Sequence, residues 1–178
     1  MNTIVALLRG INVGGNNKLP MRELVTVLAG LGLENIQTYI QSGNVVFQTD
    51  RVDLAELAVE MGTAVAQSHG FTPKIMLLEA HQLEDAIAAN PYPQGESDPK
   101  SVHFYFLEAV PAAPDLAALE ALKTEREQFQ LIDDVFYLYA PDGIGRSKLA
   151  ERVEKALGVS ATARNWRTVS KIMAMIAG

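Results

Sequence analysis

Cysteine is absent from the 178 residues, which removes disulfides, thiolate nucleophiles and sulfur-ligated zinc together. Only three histidines are present, His69, His81 and His103, and none has the spacing of a metal ligand set, so no metal site and no cofactor are expected. His103, inside Val102-His103-Phe104-Tyr105-Phe106, is expected to point outward from a strand. Long apolar runs are also missing: none approaches the ~20 residues of a membrane span, and no cationic segment followed by an apolar core marks a signal peptide. The expectation is a cytoplasmic protein without a membrane partner.

Aromatics make up 7% of the chain, while 48% hydrophobic and 20% charged residues are ordinary for one large core or two small ones. The net charge of −6 is unevenly spread. Residues 51–140 carry net −10, whereas 141–178 hold seven cations against three acids, net +4. A basic segment on an acidic body points to a local anion site and argues against broad nucleic-acid coating.

The densest motif is Arg9-Gly10-Ile11-Asn12-Val13-Gly14-Gly15-Asn16-Asn17-Lys18-Leu19-Pro20, between a strand-like run, Thr3 to Leu8, and a helical pattern from Met21. Three glycines, three asparagines and two cations exceed what a turn needs. Glycine permits close backbone approach, and a helix N-terminus offers unpaired N–H groups to an anion. Arg9, Asn12, Gly14, Gly15 and Lys18 are therefore candidate ligand-binding residues. The loop is neither a Walker A sequence, since Asn16-Asn17 replace the required Lys-Ser or Lys-Thr, nor a dinucleotide fingerprint.

Along the chain, apolar periodicity predicts strand Thr3–Leu8, helix Met21–Leu31, strands Ile36–Ile40 and Val45–Gln48 around a Gln41-Ser42-Gly43-Asn44 turn, a helix capped by Asp53 with Glu56, and strand Lys74–Leu78. That βαββαβ order is the split βαβ arrangement of a ferredoxin-like unit. After a helix near 81–89, Pro91, Pro93 and Pro99 with Gly95 mark a linker at 91–100. The order then recurs: strand Ser101–Leu107, helix Asp115–Leu122, hairpin Phe129–Ile132 with Val135–Tyr139, helix Ser147–Leu157, a vestigial strand near Val159–Ala163, and a last helix from Asn165. The expectation is an α+β fold of two related halves, 1–90 and 101–178, with mainly antiparallel sheets and helices on one face of each. With the first and third strands taken as parallel, the glycine loop and the Ser42-Gly43 turn are expected at opposite sheet ends, keeping Asn12 and Asn44 apart.

Four segments resemble a known family: Val5-Ala6-Leu7-Leu8-Arg9-Gly10-Ile11-Asn12-Val13-Gly14-Gly15; Tyr39-Ile40-Gln41-Ser42-Gly43-Asn44-Val45-Val46-Phe47; Gly143 with Gly145-Arg146-Ser147-Lys148-Leu149; and Thr162-Ala163-Arg164-Asn165-Trp166-Arg167-Thr168-Val169 with Lys171. Together they are similar to the bacterial domain of unknown function 1697 family. The resemblance implies an α+β fold of two related halves and no particular activity.

The last segment reads as a helix with Trp166, Val169, Met173 and Ile176 on a core-facing stripe and Arg164, Arg167 and Lys171 on another face. Arg146, Ser147 and Lys148 begin the preceding helix, where cations oppose the macrodipole unless an anion is present. Arg146, Ser147, Lys148, Arg164 and Asn165 join the candidate set, and the two cationic segments are expected to form one crevice between the halves. Three functions fit these residues: binding of a phosphorylated small molecule, nucleotide or short RNA; an enzyme acting on a phosphorylated substrate; and a regulatory or assembly module whose motifs serve folding. Turn chemistry alone accounts for every residue of Gln41–Asn44. No oligomeric state and no catalytic group follow from the sequence.

Overall fold

The structure, a computed structural model, describes all residues from Met1 to Gly178. It contains eight strands and six α-helices in two four-stranded antiparallel sheets. The compact units are Met1–Asp85 with Lys171–Gly178, and Ala86–Ser170.

In the first unit, β1 (Asn2–Arg9), α1 (Met21–Ala29), β2 (Glu34–Tyr39), β3 (Asn44–Thr49), α2 (Leu54–His69) and β4 (Lys74–Glu79) follow the predicted βαββαβ order. The sheet order is β2-β3-β1-β4. Strand alternation decides what lies on each side. Ile4, Ala6 and Leu8 of β1, with Val45 and Phe47 of β3, meet Leu24 and Leu28 of α1 and Leu57, Met61 and Val65 of α2 in one core. The Asp53 carboxylate accepts from the Glu56 backbone N–H at 2.9 Å, starting α2 as the capping pair predicts. Val5, Leu7 and Val46 are buried on the opposite face. There Met175 and Ile176, from the end of the last helix, line a groove with Thr3, Gln37 and Gln48, so helical residues reach both faces of this sheet.

The second unit repeats the plan. After α3 (Ala80–Ala88) come β5 (Val102–Leu107), α4 (Leu116–Leu122), β6 (Gln128–Ile132), β7 (Val135–Tyr139), α5 (Lys148–Leu157), β8 (Ala161–Asn165) and α6 (Trp166–Ala177), with sheet order β6-β7-β5-β8. Tyr105, Leu107, Phe136 and Leu138 pack against Leu119 of α4 and Leu149, Val153 and Leu157 of α5.

Three local expectations change. The final strand is not vestigial: Ala161–Asn165 pairs fully with β5, Phe104 opposite Arg164 and His103 opposite Asn165. Arg164 is thus a strand residue and shares no helix face with Arg167 and Lys171, because the free edge of β5 supplies backbone partners that outweigh helical spacing. The proline stretch, expected as a linker, carries local structure of its own. Pro93–Glu96 forms a 3-10 turn, Tyr92 is buried and stacks on Tyr139 at 6.1 Å, and a Cβ on Gly95 would lie 3.1 Å from the Trp166 ring. The stretch belongs to the second unit, whose bounds differ from the 101–178 half read from the prolines. His103 is buried rather than outward, since every residue of β5 is covered.

Candidate functional site

The glycine loop leaves β1 at Arg9 and doubles back as a small hairpin. Asn16 donates to the Val13 carbonyl at 2.9 Å and Asn12 to the Asn17 carbonyl at 3.0 Å. Its tip is Gly14-Gly15, with φ of 57° and 77°. Two successive left-handed residues are what a type I′ turn requires, and glycine takes that conformation without strain. The tip is exposed.

Side chains brace this hairpin. The Asn12 carboxamide accepts from the Leu19 N–H at 2.8 Å and donates to the carbonyls of Leu19 at 3.0 Å and Gln41 at 2.8 Å. Asn17 donates to the Gly10 carbonyl at 3.0 Å. Ile11 and Leu19 are buried beneath the loop, while Arg9 and Lys18 stay exposed. Across the sheet, Arg9 stands opposite Lys74 of β4, a cation the sequence reading did not connect with the loop. Only strand register reveals that neighbour.

The loop and the Ile40–Gly43 turn lie at the same sheet end, contrary to the expected separation. The β1–β3 pairing is antiparallel, with Leu7 opposite Asn44, so the exit of β1 adjoins the entrance of β3. Leu8 donates to the Gly43 carbonyl at 2.8 Å. Gly43 has φ of 88°, and a Cβ there would sit 2.7 Å from the Leu8 Cβ. Asn44 is fully buried and donates to the Tyr39 carbonyl at 2.9 Å.

The start of α1 also sets this sheet end apart. Helices α2, α4 and α5 begin on the side chains of Asp53, Asp115 and Ser147, each accepting a backbone N–H, and Asn165 accepts from Thr168 at the start of α6. Helix α1 begins on Pro20, which provides no side-chain cap.

In the second unit, Arg146 and Lys148 are exposed on either side of Ser147. Ser147 is buried; its hydroxyl caps Ala150 at 3.1 Å and donates to the Glu127 carboxylate at 2.5 Å. Glu127 is itself buried and accepts from the Thr124 N–H at 2.9 Å. Thr124 and Glu127 exchange the two hydrogen bonds of a capping box, yet a turn and strand β6 follow rather than a helix. Arg164 is half-buried in β8, donating to the Ala163 carbonyl at 2.9 Å, and burial lowers its pKa to about 10. The 140–147 loop and Asn165 lie at one end of this sheet, because β7 ends and β5 begins there while β8 pairs antiparallel to β5.

These features define an α+β protein of two four-stranded antiparallel units, the first with a braced, cation-bearing glycine loop at one sheet end. The chain belongs to the family described as protein of unknown function (DUF1697), whose model matches residues 1–137. It is similar to a solved structure, the conserved bacterial protein SP0830 from Streptococcus pneumoniae, at 28% identity and a TM-score of 0.71 over 98% of each chain. No functionally curated protein matches the chain. No helix is long and apolar enough to cross a membrane.

Proposed function

We propose that the protein binds an anionic, phosphate-bearing ligand at the glycine loop of its first unit. The observation that carries this reading is the use of the Asn12 and Asn17 carboxamides to hold an exposed hairpin in place. The brace holds Ile11 and Leu19 in the core and leaves the tip of the loop rigid and exposed, and rigid loops on a scaffold are where binding residues concentrate. The braced segment presents Arg9 and Lys18 ahead of α1, which starts on Pro20 without a side-chain cap, an arrangement suited to phosphate oxygens. Asn12 then serves as the brace, and Gly14, Gly15, Arg9 and Lys18 as the contact surface. Arg146 and Lys148 of the second unit offer a separate cationic turn, with Ser147 and Asn165 as its helix caps.

A second reading has its own support. Asn12, Ser147 and Asn165 all spend their polar atoms inside the protein, as expected of a regulatory or assembly module whose motifs serve folding. Thermal shift with tripolyphosphate separates the two, because a ligand that binds only the native state raises the melting temperature. Stabilisation of the wild-type protein that Lys18→Glu abolishes, with the unliganded melting temperature unchanged, supports the binding site. Stabilisation lost only in Arg146→Glu moves the site to the second unit. No stabilisation in any form favours the module.

A further inference from the structure

Between the two helices that cover the second sheet runs a groove of about 260 Å³, lined by Asp115, Ala118 and Leu122 on the α4 side and by Arg152, Lys155 and Ala156 on the α5 side. Its floor is apolar. Leu122 and Ala156 are half-buried against the core of this unit, and Ala118 is half-buried as well. The rim carries the charge: Arg152 and Lys155 are exposed, share a helix face at a spacing of three residues, and take part in no ion pair. Glu151 stands four residues before Lys155, the favoured spacing for such a pair, and the pair is not made. Lys148 precedes Arg152 by four, so α5 carries a stripe of three cations whose mutual repulsion nothing on the helix relieves, in a protein of net charge −6.

We propose that this groove binds a small amphipathic carboxylate, a short-chain aliphatic acid, with its chain on Ala118, Leu122 and Ala156 and its carboxylate on Arg152. An apolar floor with a cationic rim complements that ligand from both ends: a bare anion has no use for the floor, and an uncharged chain none for the rim. The guanidinium matches both carboxylate oxygens at once, and Lys155 adds charge beside it. Asp115 does not oppose the head group. Its backbone N–H donates to the Ala156 carbonyl at 2.7 Å, which fixes it at that end of the groove, and its carboxylate accepts the Ala118 N–H at 3.1 Å as the cap of α4. Arg152 lies about one turn of α5 back from Ala156, away from the acid. The volume falls just below the ~300–1,000 Å³ of sites for drug-sized ligands, which suits a short acid better than a long lipid chain. The groove shares no residue with the glycine loop, so it stands independently of the phosphate reading.

The test titrates the full chain with octanoate, octanol and acetate, following backbone amide shifts by NMR. Octanoate should move the amides of Ala118, Leu122, Arg152 and Ala156 and bind about tenfold more tightly than octanol, which lacks the charge, and than acetate, which lacks the chain. Arg152→Gln, at an exposed helix position, should remove the advantage of octanoate over octanol. Ala118→Leu fills the floor and keeps both cations; it should weaken octanoate and octanol alike and leave acetate unchanged. Lys18→Glu, which tests the glycine loop, should leave octanoate binding as it is, so that this site and the phosphate site fail separately. Equal binding of octanoate and octanol by wild type, an advantage of octanoate that survives Arg152→Gln, shifts confined to other residues, or no binding of octanoate overturns the inference. Shifts at the same amides on raising the protein concentration alone overturn it too, by assigning the groove to a second copy of the chain.

Discussion

The Asn12 side chain donates to the main-chain carbonyl of Gln41 at 2.8 Å, joining two loops 29 residues apart in sequence. With its bonds to both backbone groups of Leu19, the carboxamide acts as a short piece of β-ladder where no strand continues. Loop, turn and the approach to α1 become one rigid end of the first sheet.

Asn12→Asp should therefore be more damaging than Asn12→Ala near neutral pH. Alanine loses the three bonds and leaves backbone groups to water, at about 1–3 kcal/mol. Aspartate keeps the acceptor for Leu19 N–H but turns a negative oxygen toward two carbonyls. Urea unfolding midpoints should fall in the order wild type, Ala, Asp at pH 7, with Asp regaining part of its loss near pH 4 as the carboxyl protonates.

Ser147 and Asp53 occupy the same position, the N-cap of the second helix in each βαββαβ repeat, in different surroundings. Asp53 is exposed and caps one N–H, so Asp53→Ala should cost about 1 kcal/mol. Ser147 is buried and also satisfies Glu127. Removing its hydroxyl strands a buried carboxylate oxygen as well as a helix donor, and Ser147→Ala should cost about 2–4 kcal/mol. Adding Glu127→Gln to Ser147→Ala should restore part of that loss, because a neutral amide is less costly to leave without its partner; strictly additive effects would show that the two side chains do not depend on each other.

Much of the fold is legible in the sequence because it depends on short-range signals. The unbroken apolar run from Thr3 to Leu8 marked β1, period-3.6 apolar spacing marked α2, Asp53 with Glu56 marked a helix start, and the duplicated order of elements followed. Strand direction was not legible locally: the antiparallel pairing of β1 with β3 comes from the whole sheet, and taking it as parallel separated the glycine loop from a turn it touches. Arg164 was misplaced for the same reason, since helical spacing cannot reveal the edge of β5 waiting for a partner. His103 was misread because alternation presumes one wet face, whereas β5 is covered throughout. In the site, glycine and asparagine content identified the loop, but not that Asn12 braces it or that it is tied to the turn at Gln41.

Burial of His103 has a measurable consequence. It is 7% exposed, its Nδ1 has no hydrogen-bond partner, and desolvation of the imidazolium lowers its pKa from 6.5 to about 4. In the unfolded chain the ring takes up a proton below about pH 6.5, whereas in the folded protein it stays neutral until about pH 4. The stability tied to this group is therefore fully present above pH 6.5 and is lost as the pH falls toward 4, below which both states are protonated and the loss levels off. The expected loss is about 2 kcal/mol at pH 5 and about 3 kcal/mol below pH 4. Carboxylates titrate in the same range, so the useful quantity is the difference between pH 7.5 and pH 5 in wild type minus the same difference in His103→Phe. Packing changes in the variant cancel in that comparison. A residual of about 2 kcal/mol from urea unfolding places the proton uptake on His103; a residual near zero would mean that the ring is charged in the folded protein at pH 5, with water or a partner reaching Nδ1.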